Sequence, residues 1–155
     1  MDEKRKIVEI VKVRAVLKAL TPEAIEAMPQ PQRVNDMVII RKFPFRIGRE
    51  SRVRMVDGRI VRVERPKLGG REPNNDLYLL DGGELLNISR EHLQLEKHPD
   101  GYKLIDRGSA CGVRIGERAV GGCDDGGEME LVDGDVFVMG TTQSPYRYQF
   151  IVLDE

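Results

Sequence analysis

Apolar side chains in residues 1–20 fall at Ile7, Ile10, Val13, Val16, Leu17 and Leu20. Intervals of three and four put them on one face of a helix, and the pattern predicts a helix there. The same stretch is rich in β-branched residues, Ile7, Val8, Ile10, Val11, Val13 and Val16, which also suit a strand. Thr21-Pro22-Glu23 then reads as an N-cap, a proline at the first helical position and an acid in the first turn, so a short helix should run through Met28. Pro29-Gln30-Pro31-Gln32 breaks it. Residues 1–33 are therefore expected to form a helical extension. Its apolar face would pack on the rest of the chain, or meet a second chain through Val13, Val16, Leu17 and Leu20.

From Val34 the texture changes to short apolar runs. They are Met37–Ile40, Phe43–Ile47, Arg59–Val63, Leu77–Leu80, His92–Leu95, Tyr102–Ile105, Val113–Ile115, Met129–Val132, Val136–Met139 and Tyr148–Leu153. Between them lie turn pairs such as Asp57-Gly58, Asp81-Gly82, Asp100-Gly101, Gly121-Gly122 and Asp133-Gly134. Many short strands at regular spacing predict an all-β sandwich or barrel over residues 34–155. Within it, residues 51–72 are unusually basic. Arg52, Arg54, Arg59, Arg62, Arg65, Lys67 and Arg71 stand against Asp57, Glu64 and Glu72. Val53 to Val63 alternates about Asp57-Gly58 and predicts a small hairpin. Its arginines form either a solvated outer face or an arm that recognises an acidic partner.

Composition narrows the function classes. The 155 residues carry a net charge of −1, so nucleic-acid binding through global charge is excluded. Aromatics are 5% and Trp is absent, which argues against a stacking platform for single strands. No apolar run approaches the ~20 residues that cross a bilayer. No membrane association or export signal is expected, and the cytoplasm is the default location. Cys111 and Cys123 are too few for a disulfide framework. With His92 and His98 they lack the short ligand spacing of a structural zinc site, so no metal or cofactor is expected. Ser89, His92 and Asp106 supply the residue types of a hydrolytic triad without a Gly-x-Ser-x-Gly elbow, and the phosphate loop of nucleotide hydrolases is absent. No catalytic residues are assigned.

Four local patterns follow one another in the β-rich part: Gly48-Arg49 at the end of a strand, Ser89-x-x-His92, Asp106-x-Gly108-Ser109-x-Cys111-Gly112, and Gly134-Asp135-x-Phe137-x-x-Gly140. In that order, on a strand-and-turn background, they resemble the forkhead-associated (FHA) domain, a phosphothreonine-binding β-sandwich. The resemblance covers about residues 34–153 and implies an FHA/SMAD-like sandwich of about 10–12 short strands. It also implies a non-catalytic module that binds phosphothreonine-containing protein segments, its partner being a Ser/Thr kinase or a kinase substrate. The alternative is a scaffold of the same fold that reads no phosphate.

The resemblance assigns phosphate contacts to Arg49, Ser89 and Arg90, and loop-shaping or bracing roles to Gly48, His92 and Gly112. Ala110 and Cys111 fall on the peptide-contacting loop. Two arginines on one site repel each other until an anion binds, which makes a dianion the natural ligand. The chain departs from the family pattern where Cys111 replaces the turn asparagine. A thiol is a poor donor and acceptor. It also departs in the basic insertion at about 51–72, where the family has a short connection. That insertion is expected beside the phosphate loops, contacting acidic residues around the phosphothreonine.

Overall fold

The computed structural model describes residues 2–51, 53–62 and 74–154. Two helices, α1 (Glu3–Val11) and α2 (Pro22–Ala27), accompany fourteen strands among these residues. The helical expectation for residues 1–20 holds only for α1. Residues Ala15–Ala19 form strand β1, inserted between β3 (Met37–Ile40) and β14 (Arg147–Val152). Leu17 lies opposite Val38 on one side and Phe150 on the other, and its side chain is fully buried. The β-branched content prevailed because the strand completes two ladders and buries Ala15, Leu17 and Ala19, which outweighs a local helical preference. The boundary expected at residue 33 is thereby corrected: β1 and β2 (Arg33–Val34) belong to the sandwich. A second chain cannot be met through Val16 and Leu17, which are buried.

The seven-stranded sheet runs β11-β10-β13-β14-β1-β3-β2, with β10 Val113–Ile115, β11 Arg118–Val120 and β13 Val136–Met139. The five-stranded sheet runs β12-β9-β8-β4-β7, with β4 Phe45–Arg49, β7 Leu77–Leu79, β8 Leu93–His98, β9 Gly101–Asp106 and β12 Gly127–Leu131. Leu17, Ile40, Phe137 and Phe150 of the first sheet share one core with Ile47, Leu77, Leu95 and Leu104 of the second. The architecture is a β-sandwich. All ten apolar runs contribute a strand. Helix α2 forms as its cap predicts, with Ala24 N donating to Thr21 Oγ at 3.1 Å. It docks through Tyr148, whose hydroxyl donates to the Ala24 carbonyl at 2.9 Å.

Strands β5 (Val53–Val56) and β6 (Arg59–Arg62) make the expected hairpin. Asp57 and Gly58 turn it with φ of 51° and 77°, both positive as a tight two-residue hairpin demands. Arg52 and residues 63–73, with Arg65, Lys67 and Arg71, lie outside the described residues.

Strand direction sets up two functional ends. β4 finishes at Arg49, β8 starts just after His92, β9 finishes at Asp106 and β10 starts just after Gly112. Loops 80–92 and 107–112 therefore emerge together at one end. The β8–β9 turn, the β12–β13 turn and the junction of α1 with β1 lie at the other.

Candidate functional site

At the loop end, Arg49, Ser89, Arg90 and Arg107 line one open cavity of about 530 Å³. Asn74, Glu91, Gly108 and Asp124 complete its wall. The ladder of β4 delivers the first of these residues. Its last amide, Arg49 N, donates to the Ser89 carbonyl at 2.9 Å, and Arg49 Nε donates to the Ile88 carbonyl at 2.9 Å. One edge of the Arg49 guanidinium is thereby fixed. Its terminal nitrogens have no partner among the described residues. The Arg90 side chain is exposed and likewise has no side-chain partner there.

Gly48 explains how Arg90 comes so close. A Cβ at Gly48 would stand 1.9 Å from the Arg90 carbonyl oxygen and 2.6 Å from Asn75 Nδ2. Only glycine lets the Arg90 backbone cross β4 at this point. Asn75, itself buried, donates through Nδ2 to the Arg90 carbonyl at 2.7 Å and accepts at Oδ1 from Arg107 at 2.6 Å. Arg107 also donates to the Asn74 carbonyl at 3.0 Å. Burial, chiefly, draws its pKa below the ordinary arginine value, yet it stays a cation at neutral pH.

The serine is held from both sides. Its amide donates to His92 Nδ1 at 2.9 Å, and its Oγ accepts from Ala110 N at 3.0 Å. A hydroxyl that accepts from an amide keeps its own hydrogen for another acceptor, so Ser89 faces the cavity as a donor. His92 is fully buried. Its Nδ1 must accept, and its Nε2 then donates to the Gly112 carbonyl at 2.8 Å. Both ring nitrogens are spent on backbone, and neither faces Ser89 Oγ. Burial pushes the imidazole pKa down, so the ring is neutral.

The 107–112 loop is tied internally. Asp106 accepts from the amides of Gly108 (2.9 Å) and Ser109 (2.8 Å) and from Ser109 Oγ (2.5 Å). Ser109 Oγ in turn accepts from Gly112 N at 2.9 Å. Gly112 has φ 77°, and a Cβ there would come within 2.8 Å of the Val120 carbonyl. Ala110 is exposed beside the cavity and Cys111 is partly buried. The Cys111 thiol spends its weak donor on the Leu86 carbonyl at 3.6 Å. On the serine side, Asp81 is buried and gathers the 81–88 loop. It accepts from the amides of Gly83 (3.0 Å), Asn87 (2.7 Å) and Ile88 (3.0 Å) and from the Tyr146 hydroxyl (2.9 Å). Burial and the Asp81 charge raise the Tyr146 pKa well above its ordinary value.

The structure thus brings Arg49, Ser89 and Arg90 to one cavity, places Gly48, His92 and Gly112 in the frame behind it, and sets Ala110 and Cys111 beside it. Sequence reasoning assigned no role to Arg107, Asn75 or Asp81. Asn74-Asn75 stood out as an amide pair before β7, but nothing local marks Arg107 or Asp81 as their neighbours' anchors. Among the described residues no group of three or more His, Cys, Asp or Glu is arranged to hold a metal ion.

The fold and site define a β-sandwich that presents a preformed cationic pocket on loops. Residues 68–140 match the model of the FHA domain family. The chain carries an FHA domain. No curated protein is significantly similar to it. Among solved structures, Mycobacterium tuberculosis EmbR in complex with a low-affinity phosphopeptide is similar at 15% identity and a TM-score of 0.49, over 98% of this chain. The chain spans 29% of that protein's length. The FHA domain of an Arabidopsis thaliana hypothetical protein is similar at 18% identity and a TM-score of 0.45, over 90% of this chain and 85% of that one.

Proposed function

We propose that this chain is a non-catalytic reader of phosphothreonine-containing protein segments, acting as an adaptor for a Ser/Thr kinase or its substrate. The observation that carries the reading is the convergence of Arg49, Ser89 and Arg90 on one cavity, with guanidinium nitrogens and a hydroxyl hydrogen uncommitted. Arg107 adds a third positive charge to the wall. Charge-assisted hydrogen bonds contribute about 1.5–3 kcal/mol each, so two or three of them support micromolar binding once peptide backbone contacts are added. Glu91 and Asp124 on the same wall disfavour a second anion, which suits one phosphate rather than a polyanion. The basic stretch at 51–72 is proposed to meet acidic residues flanking the phosphothreonine. Unchanged selectivity after deleting residues 53–70 from a folded chain would remove that part of the reading.

The test is fluorescence polarisation with a degenerate phosphothreonine peptide library, beside unphosphorylated and phosphoserine versions. Micromolar binding that requires both the phosphothreonine and Arg49 is expected. A folded wild-type chain that binds none of the library overturns the reading. The alternative, a scaffold that reads no phosphate, is favoured by one observation: the Cys111 thiol turns to Leu86 and leaves no strong side-chain donor on the 110–111 loop. Partner binding that persists with Arg49→Ala would establish it.

A further inference from the structure

At the end of the sandwich opposite the loops, α1 has no buried residue. Ile7, Val8, Ile10 and Val11 are between 52% and 72% exposed. At 100° per residue these four fall within one half of the helix, a continuous apolar stripe. Lys4, Arg5 and Lys6 stand at its start with no acidic side-chain partner among the described residues. The helix is fixed at its other end. Lys12 and Arg14 pair with Asp154 at 2.9 and 2.6 Å, and Arg41 Nε donates to the Val11 carbonyl at 3.2 Å. An apolar helix face held in water by a rigid base asks for a partner.

A groove of about 680 Å³ opens at the same end. Its floor is apolar, from Tyr102, Leu131 and Val152, and Val132 and Leu153 on its lip are more than half exposed. Its rim is acidic. Asp100, Glu130 and Asp133 pair with no basic side chain among the described residues. Three free cations beside an apolar stripe thus match three free acids around an apolar groove. Asp154 belongs to both features, since it lines the groove and anchors the base of α1.

We propose that a second copy of this chain fills the groove: α1 of each protomer lies in the acidic groove of its partner, about a twofold axis that passes near Asp154. Because stripe and groove sit side by side on one end, a twofold places each helix over the opposite groove at once, and the assembly closes as a dimer. Two contacts form together, so the second is effectively intramolecular. Both loop cavities face away from the interface, because β9 runs the length of the sheet, with Gly101 on the groove and Asp106 behind the cavity loops. This inference stands independently of phosphothreonine binding.

The experiment is sedimentation velocity on the 155-residue chain over a concentration series, in low and high salt, with circular dichroism as the folding control. A monomer–dimer equilibrium that weakens with salt is expected. The triple change Lys4→Glu, Arg5→Glu, Lys6→Glu should weaken dimerisation at least about tenfold, and so should Asp100→Lys with Glu130→Lys. Mixing the two charge-reversed chains should restore association, since acid then meets base again across one of the two contacts. Ile7→Ser with Ile10→Ser should also shift the chain to monomer. A folded wild type that stays monomeric throughout overturns the proposal. So does a dimer indifferent to the groove changes, which would point to helix–helix pairing. A monomer that floats with anionic lipid vesicles through α1 would overturn it as well.

Discussion

The Arg90 carbonyl oxygen occupies the space that a Cβ on Gly48 would need, 1.9 Å from that position. Backbone crosses backbone there, so no side-chain rotation relieves the clash. Gly48→Ala should push the 89–91 segment off β4, break the Asn75–Arg90 bond and cost about 1–3 kcal/mol of stability. Chemical denaturation and peptide binding measured on the same protein check this. Loss of binding should exceed the loss expected from unfolding alone.

His92 gives a pH dependence with a definite sign. The ring is neutral in the folded chain and its pKa is depressed by burial below the model value of 6.5. Below about pH 6.5 the unfolded chain takes up a proton that the folded chain refuses, so stability is full above that pH and declines as pH falls towards the folded pKa. Melting temperatures between pH 7.5 and 5.5 should fall for the wild type. His92→Gln should be less stable at pH 7.5 and show a shallower slope over the same window.

Asp154 acts at lower pH. Its hydrogen bonds to Lys12 and Arg14 hold its pKa down to about 2. A carboxylate depressed in the fold stabilises above the unfolded value and stops doing so as pH falls through the folded one. The contribution should therefore disappear between about pH 4 and pH 2. Acid titration followed by circular dichroism should show a gentler decline over that range in Asp154→Asn than in the wild type.

Much of this architecture was legible as sequence, for a physical reason. Period-two apolar runs punctuated by glycine and aspartate report burial on one sheet face, and each of the ten runs contributes a strand. β1 was not legible as a strand because Ile7, Ile10, Val13, Val16 and Leu17 satisfy helical and extended spacing together. Only its two neighbours, β3 and β14, decide between them. They lie about 20 and 130 residues away in the chain. The strand β11 carries Arg118 and Ala119, both exposed, and so gave no apolar signal. Gly48-Arg49 and Ser89-x-x-His92 could be placed from motif order. Arg107 could not, because its partner Asn75 precedes it by 32 residues and neither is apolar.

Asp81 and Tyr146 supply a test of how far the frame reaches. Tyr146→Phe removes one of the four donors to the Asp81 carboxylate and should cost about 1 kcal/mol. Asp81→Ala strands three amides and should loosen the loop that carries Ser89. Peptide affinity should fall further than it does in Tyr146→Phe, and hydrogen exchange at Asn87 and Ile88 should quicken. Unchanged exchange at those amides would place the loop under other control.

Arg107 can be separated from its charge. Its bonds to Asn75 Oδ1 and the Asn74 carbonyl use two nitrogens of one planar group. Arg107→Lys keeps the charge and loses the geometry, so it should rescue only part of the binding lost in Arg107→Ala. Equal affinities for Arg107→Lys and the wild type would show that charge alone matters there.

The loops of this site owe their shape to Asn75, Asp81, His92, Asp106 and Ser109, each of which spends its polar atoms on main chain behind the cavity. Ala110 does not: its methyl group is exposed and only its backbone is engaged, by Ser89 Oγ and by the Cys123 amide. Support and contact are thus assigned to different residues. Ligand preference can drift at the tip by single substitutions while the phosphate clasp keeps its form, which lets one scaffold be re-addressed to new partners without being rebuilt.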